Sequence, residues 1–447
     1  MQTKQITNHR QIAWMVGSVL VTGPLMSLAQ SLAHIAKVDA WFSQILPTWY
    51  GLVIAYVFAE VSRAFPGKNL FEIFYVLTGK WIGALLNVVI LLYLLMLLIR
   101  DVKGITNFIH VTLLPRTPIE IILLLFVLVL LYYGKTSVEV AARVNEMYFP
   151  FFLLLTVLLY LFLANEFSFA RLEPVLASSL ERIFYSNVIS VGSYGDLFLF
   201  GAFLHTVSNS RLLHASMRHG ILIACFSFTL VLINLLAVMG DIVSSRLTYP
   251  FYVLVEQIHI TDFLDRVEVM LFSVWFPAYA IKVIVTYLAF VIGMSSLVGQ
   301  QQPAGYNKAV GWILLAASLL SFPRISDVGQ FVSYSLPVIV LCVQPPLLLL
   351  LYLGAVAKRK RGEGKHEQSE PQAIRQYRLH VTMTNGALAV GLISIIAGVF
   401  GTSWVSYAGA IAGGVYMFCL FAALVLTYRE MQLINHWKQR QQTASRS

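Results

Sequence analysis

The sequence is poor in charge. Only 12% of its 447 residues are Asp, Glu, Lys or Arg, about half the roughly 25% of an ordinary soluble domain. With 58% hydrophobic residues and a mean hydropathy of +0.76, that shortage excludes a soluble enzyme, a secreted disulfide scaffold and a disordered tail. Cysteine is scarce too. Cys225, Cys342 and Cys419 lie inside apolar runs without metal-ligand spacing and read as small core hydrophobes. His34, His110 and His205 lack a partnering motif, so no metal site is expected. No phosphate-binding glycine loop, serine elbow, HExxH or CxxC pattern occurs. An intramembrane enzyme is therefore unsupported, and no cofactor is implied. No cleavable leader is read, because the first apolar stretch is too long for an h-region and no small-residue cleavage site follows it. The net charge of +10 fits a membrane protein that gathers Lys and Arg on its cytoplasmic side better than it fits a nucleic-acid binder.

What the chain has is a succession of apolar runs almost free of charge. A crossing takes roughly 20 apolar residues. Ten candidate spans occupy 11–38, 40–59, 81–99, 117–134, 147–164, 183–206, 220–240, 269–300, 309–323 and 328–357. A polar, basic stretch follows at 358–378. Residues 381–428 then carry no Asp, Glu, Lys or Arg, a run about twice the length of one crossing. Gly401-Thr402-Ser403 divides it into two spans. The runs are continuous rather than alternating, and lipid leaves open strand edges unsatisfied, so helix is the expected element. The expectation is an all-α integral membrane protein with twelve spans. It comprises a ten-helix permease-like core at 1–357, a basic cytoplasmic linker at 358–378, two additional transmembrane helices at 379–428 and a cytoplasmic tail at 429–447. An even span number puts both termini on one side. The Lys and Arg excess, contributed mostly by the linker and tail, makes that side cytoplasmic.

Two spans carry helix breakers midway. The first contains Gly17 and then Thr22-Gly23-Pro24; the sixth contains Gly192-Ser193-Tyr194-Gly195-Asp196. Proline removes a backbone donor and clashes with the preceding turn. Because five is odd, spans 1 and 6 run in opposite directions and open two inverted five-helix halves. Interrupted helices at corresponding positions of such halves point to a transporter-type binding site. Freed half-helix termini there can hold a carboxylate, an ammonium or a cation. A packing kink is the plainer reading of either break alone.

Two charges lie deep in apolar runs, Asp196 and Lys282. A charge at the bilayer centre costs about 2.5–3.5 kcal/mol even on a forgiving scale. Lys282 either stands in for a bound cation or pairs with Asp196; the pair is then either a ligand-sensitive switch or purely structural. Tyr194 and Trp275 are candidate cavity-lining aromatics. Glu60 and Arg63 are expected to pair at a helix end, residues 259–268 read as an amphipathic surface piece, and the Lys358–Arg361 cluster as juxtamembrane charge facing anionic lipid or solvent.

Several segments resemble a known family. They are Asp39-Ala-Trp41, Arg63-Ala-Phe-Pro-Gly-Lys-Asn-Leu-Phe-Glu72, Thr78-Gly-Lys-Trp-Ile-Gly83, Thr112-Leu-Leu-Pro-Arg-Thr-Pro118, Leu172-Glu-Pro-Val175, Arg246-Leu-Thr-Tyr-Pro250 and Asp262-Phe-Leu-Asp-Arg-Val-Glu268, followed by Trp275 and Ile281-Lys282. Their order and spacing over residues 5 to about 325 resemble the spore germination permease family, the GerAB-type B subunit of bacterial germinant receptors, within the amino acid–polyamine–organocation superfamily. The resemblance implies a LeuT-like fold of two inverted five-helix halves. It implies binding of a small nutrient germinant, typically an amino acid, in the spore inner membrane, and assembly with an A subunit and a lipoprotein C subunit. Lys282 falls where the family commonly has a lysine in span 8, whose amine in related transporters replaces a sodium ion. Asp196 falls where the family often has a glutamate after a glycine. Spans 11 and 12 depart from the usual ten-span member. Sensing of a germinant and net amino acid transport are both compatible with such a cavity.

Overall fold

A computed structural model describes residues 8–207, 209–258, 267–299, 303–362, 372–405 and 407–444. The amphipathic piece at 259–268 falls largely outside these residues. The described residues are all helical in their regular structure, with no strand. In chain order the helices are α1 (His9–Thr22), α2 (Pro24–Ser27), α3 (Ala29–Ala36), α4 (Ile45–Ala64), α5 (Leu70–Thr112), α6 (Ile119–Tyr133), α7 (Val138–Phe162), α8 (Leu180–Tyr194), α9 (Ser210–Ser244), α10 (Pro250–Glu256), α11 (Val267–Val298), α12 (Asn307–Leu320), α13 (Ile325–Gln330), α14 (Leu336–Gly362), α15 (Gln372–Gly401) and α16 (Ala408–Ala444). Among the described residues, nine helical runs are long and apolar enough to cross a membrane. The bent pair His9–Met26 and Ala29–Phe42, meeting at 67°, makes a tenth. The shorter apolar helices α6 and α12 occupy two further expected crossings.

Part of the packing repeats itself. Span 1 lies against α9 and α7; span 6 lies against α4 and α14. The α4–α14 contact answers the α7–α9 contact, while α5–α11, α4–α9 and α6–α12 map onto themselves. Exchanging each of the first five spans with its counterpart in the second five thus preserves these contacts, as two equivalent halves require. Both leading helices end up in the interior: Val16, Val21, Leu197 and Phe198 are all buried. Leu85, Leu92, Phe151, Leu154 and Phe418 remain exposed on the outside, where lipid rather than water suits them.

Several boundaries differ from the sequence expectation. The third span does not stop at Ile99. Gly79, in the left-handed region at φ 79°, separates a short first piece of α5 from a helix that continues to Thr112. Glycine tolerates that conformation because it has no Cβ. The charged residues after Ile99 are consequently inside the helix. The basic linker is helical at both ends, as α14 runs to Gly362 and α15 starts at Gln372. The tail expected from 429 continues α16, and Glu430 is fully buried. Glu60 faces Arg359 at 4.0 Å rather than Arg63.

Candidate functional site

The break in span 1 follows from one residue. Pro24 has no N–H, so the Leu20 carbonyl loses its helical donor. Met26 N–H then bonds to Gly23 O at 3.1 Å instead of to Thr22 O. The freed Thr22 carbonyl accepts the indole N–H of Trp275 at 3.2 Å. Ser18 Oγ bonds to the Ala278 carbonyl at 3.3 Å. Span 8 therefore supplies the partner that the interrupted helix needs, as buried backbone groups require.

Span 6 changes differently. It does not unwind; the α-helix tightens at Gly195 into a 3-10 run, Gly195–Thr206. The Gly195 carbonyl accepts from Gln344 Nε2 of α14 at 2.8 Å, and Gln344 Oε1 accepts from the Tyr50 hydroxyl at 2.7 Å. α14 itself begins after a π-helical turn at Phe331–Ser335, a distortion frequent at functional sites.

Near the break in span 1 and the tightened turn of span 6 lie four buried charges. Asp196 accepts two bonds from Arg100, Nη1 to Oδ1 at 3.1 Å and Nη2 to Oδ2 at 2.9 Å. Lys282 Nζ lies 2.9 Å from Asp196 Oδ2 and 3.3 Å from Asp101 Oδ1. Arg100 also reaches Asp101 Oδ1, through Nε at 2.9 Å and Nη2 at 2.8 Å. Two acids and two bases form a neutral quartet, all at most 5% exposed. Each charge has a hydrogen-bonded partner of opposite sign, the condition under which buried charges persist. The Lys282 ammonium presses against the break: a Cβ added to Gly23 would overlap Nζ.

A cavity of about 690 Å³ opens beside the quartet, within the roughly 300–1,000 Å³ of small-molecule sites. It extends to exposed Val111 at the end of α5 and Ile325 at the start of α13. Gly23, Pro24, Asp196, Trp275 and Lys282 line it. Thr22 stands behind the wall, its carbonyl capped by Trp275. Gly192 and Gly195 are outside the lining; a Cβ at Gly192 would meet Pro337 of α14 at 3.1 Å, and one at Gly195 would meet the Tyr93 hydroxyl at 2.9 Å. Tyr194 does not line the cavity. Its ring packs on Gly51 of α4, because Ser193 and Asp196, three apart, share the cavity face and Tyr194 projects elsewhere.

Sequence reasoning missed Arg100 and Asp101 because span ends were set at the first charge. The usable signal was the stretch beyond them without Asp, Glu, Lys or Arg, Ile105 to Leu114. The cavity also takes in the buried part of span 10, including Val332 and Ser333, and Ser333 Oγ meets Ser31 Oγ at 2.6 Å.

The family described as "Spore germination protein" matches residues 5–324. Putative spore germination protein YfkT of Bacillus subtilis (strain 168) is 24% identical over 356 residues, 78% of this chain and 98% of that protein. Spore germination protein KB of the same strain is 23% identical over 348 residues, 75% of this chain and 92% of its own. Among solved structures, Mhp1, a nucleobase-cation-symport-1 family transporter in a closed conformation with bromovinylhydantoin bound, aligns at TM-score 0.60. It covers 96% of this chain and 93% of its own at 12% identity. A manganese transporter of Eremococcus coleocola, in complex with an aromatic bis-isothiourea substituted compound, aligns at TM-score 0.50 over 95% and 94% at 11% identity. These structural likenesses carry the fold alone. The match across residues 5–324, on a helical scaffold shared with transporters, makes this chain a multi-pass membrane member of the spore germination protein family.

Proposed function

We propose that the chain is the ligand-sensing B-type subunit of a spore germinant receptor, acting in the spore inner membrane with an A subunit and a lipoprotein C subunit. A small nutrient germinant, an amino acid, binds midway through the membrane between spans 1, 3, 6 and 8. The observation that supports this most is the Lys282 ammonium lodged against the Gly23 break and held there by Asp196 and Asp101. A ligand entering the adjoining cavity changes the surroundings of that ammonium. Binding that differs between two arrangements of the quartet shifts the population toward one of them. The fixed cation also supports the reading, implied by the family resemblance, that the Lys282 ammonium stands in for a mobile one.

The test is thermal stability of the purified full chain with a panel of amino acids and sugars. A true ligand at about 100 times its Kd stabilises by about 2.7 kcal/mol. Lys282→Ala and Gly23→Leu are expected to abolish that shift. Equal stabilisation of the parent and both variants would place the ligand elsewhere. The transporter scaffold supports a second reading, net amino acid flux. Uptake of radiolabelled ligand into proteoliposomes favours it; binding without uptake, with loss of germination on deletion, favours the receptor.

A further inference from the structure

We infer that Asp101 receives the ammonium group of a zwitterionic ligand, through its second carboxylate oxygen. The inference rests on the ligand reading above and names the chemistry of that site. Three donors converge on Asp101 Oδ1, Arg100 Nε at 2.9 Å, Arg100 Nη2 at 2.8 Å and Lys282 Nζ at 3.3 Å, while the Tyr279 hydroxyl donates to the Asp101 backbone carbonyl at 3.0 Å. Oδ2 is buried and has no hydrogen-bond partner among the described residues. Asp101 is 2% exposed and forms part of the cavity wall. A carboxylate saturated on one oxygen and bare on the other is an unusual expense inside a protein, where buried polar atoms are nearly always paired. The bare oxygen calls for a donor arriving from the cavity.

Charge decides which donor. A hydroxyl would give that oxygen an ordinary hydrogen bond, whereas an ammonium gives a charge-assisted one about twice as strong. A metal ion needs several ligands, and no group of three or more His, Cys, Asp and Glu is placed to hold one among the described residues. An ammonium fits one oxygen. A ligand with only that charge would leave the neutral quartet with a net positive site in a low-dielectric interior, which is costly. A ligand that also carries a carboxylate keeps the site neutral and gives Arg100 and Lys282 a competing anion. The class is therefore a molecule with both charges, such as an α-amino acid.

The experiment measures thermal stabilisation and apparent Kd of the purified full chain with the twenty common L-amino acids and a set of sugars. Any active amino acid is then compared with its 2-hydroxy acid and its decarboxylated amine. The amino acid is expected to stabilise the parent, and the two analogues not to. Asp101→Asn is expected to raise the apparent Kd for the amino acid about ten- to hundredfold, the effect of losing a charged hydrogen bond, while Asp101→Glu retains part of the affinity. Should Asp101→Asn fail to fold, the analogue comparison on the parent decides. Equal binding of the 2-hydroxy acid, or an unchanged Kd in a folded Asp101→Asn, would make Oδ2 a site for water only and overturn the inference. Stabilisation by sugars alone would overturn it together with the amino acid assignment, while leaving a nutrient-binding cavity beside Lys282; no stabilisation by either set would sink the ligand reading as well.

Discussion

The four buried charges act as one unit, and their substitutions should behave that way. Removing Lys282 alone leaves two carboxylates facing one guanidinium. Breaking a buried pair by removing one partner costs about 3–5 kcal/mol. Lys282→Met is expected to lose stability on that scale in detergent, measured by equilibrium unfolding. Adding Asp101→Asn restores neutrality and is expected to recover much of the loss; additive losses would show that the quartet is not coupled. Gly23→Ala has a narrower effect. The methyl group would occupy the space of the Lys282 ammonium, so ligand affinity should fall more than stability does. At this scale the sequence was half legible. Asp196 and Lys282 stood out as lone charges in apolar runs, and Gly23 and Pro24 as breakers. Arg100 and Asp101 did not, since adjacent opposite charges look like the end of a helix until its continuation to Thr112 is known.

Among elements, the informative contact is between α9 and the last two helices. Arg218 of α9 donates to Glu430 of α16 through Nε at 2.8 Å and Nη2 at 3.2 Å. Asn385 of α15 accepts from Arg218 Nη1 at 3.1 Å, and Thr384 Oγ1 donates to Glu430 at 2.7 Å. Around this lies a small apolar cluster of Ala13, Leu212, Ala215, Tyr377, Met431 and Ile434, drawn from α1, α9, α15 and α16. The final two helices are thus built onto the core rather than tethered to it. Glu430→Ala is expected to cost about 3–5 kcal/mol by stranding a buried guanidinium, whereas Arg218→Met with Glu430→Met should cost less. Thermal unfolding of the three proteins checks this. The division of 381–428 into two helices was legible from length alone. The anchor was hidden because Glu430 lies just past the charge-free run, beside Arg429, where a solvated end is the ordinary expectation. The different treatment of spans 1 and 6 was also invisible: proline forces a gap, but glycines alone permit either an unwound turn or the tightened 3-10 run observed.

For the whole molecule, the family match ends at residue 324, yet the buried contacts do not. A chain ending after Gly362 would expose Arg218 and the Tyr416 pocket formed by Trp41 and Phe42. Such a truncation is expected to lower the melting temperature or to aggregate in detergent, read by size-exclusion chromatography; an unchanged melting temperature would make α15 and α16 dispensable for folding. The two-half design was legible early because hydropathy reports span number and breakers report the leading helices. The depth and width of the cavity were not, since they depend on which faces of α5, α11 and the π-helical turn come together, and uniformly apolar helices carry little facial signal.

Trp275, Ala278 and Lys282 sit on successive turns of one helix and grip the other at Thr22, Ser18 and Gly23. Two of these contacts are hydrogen bonds and the third is close packing, so parting the two helices bares the Thr22 carbonyl and the Ser18 hydroxyl together. On the function proposed above, ligand occupancy should therefore release these contacts together, so that two arrangements of the site interchange with no stable state between them.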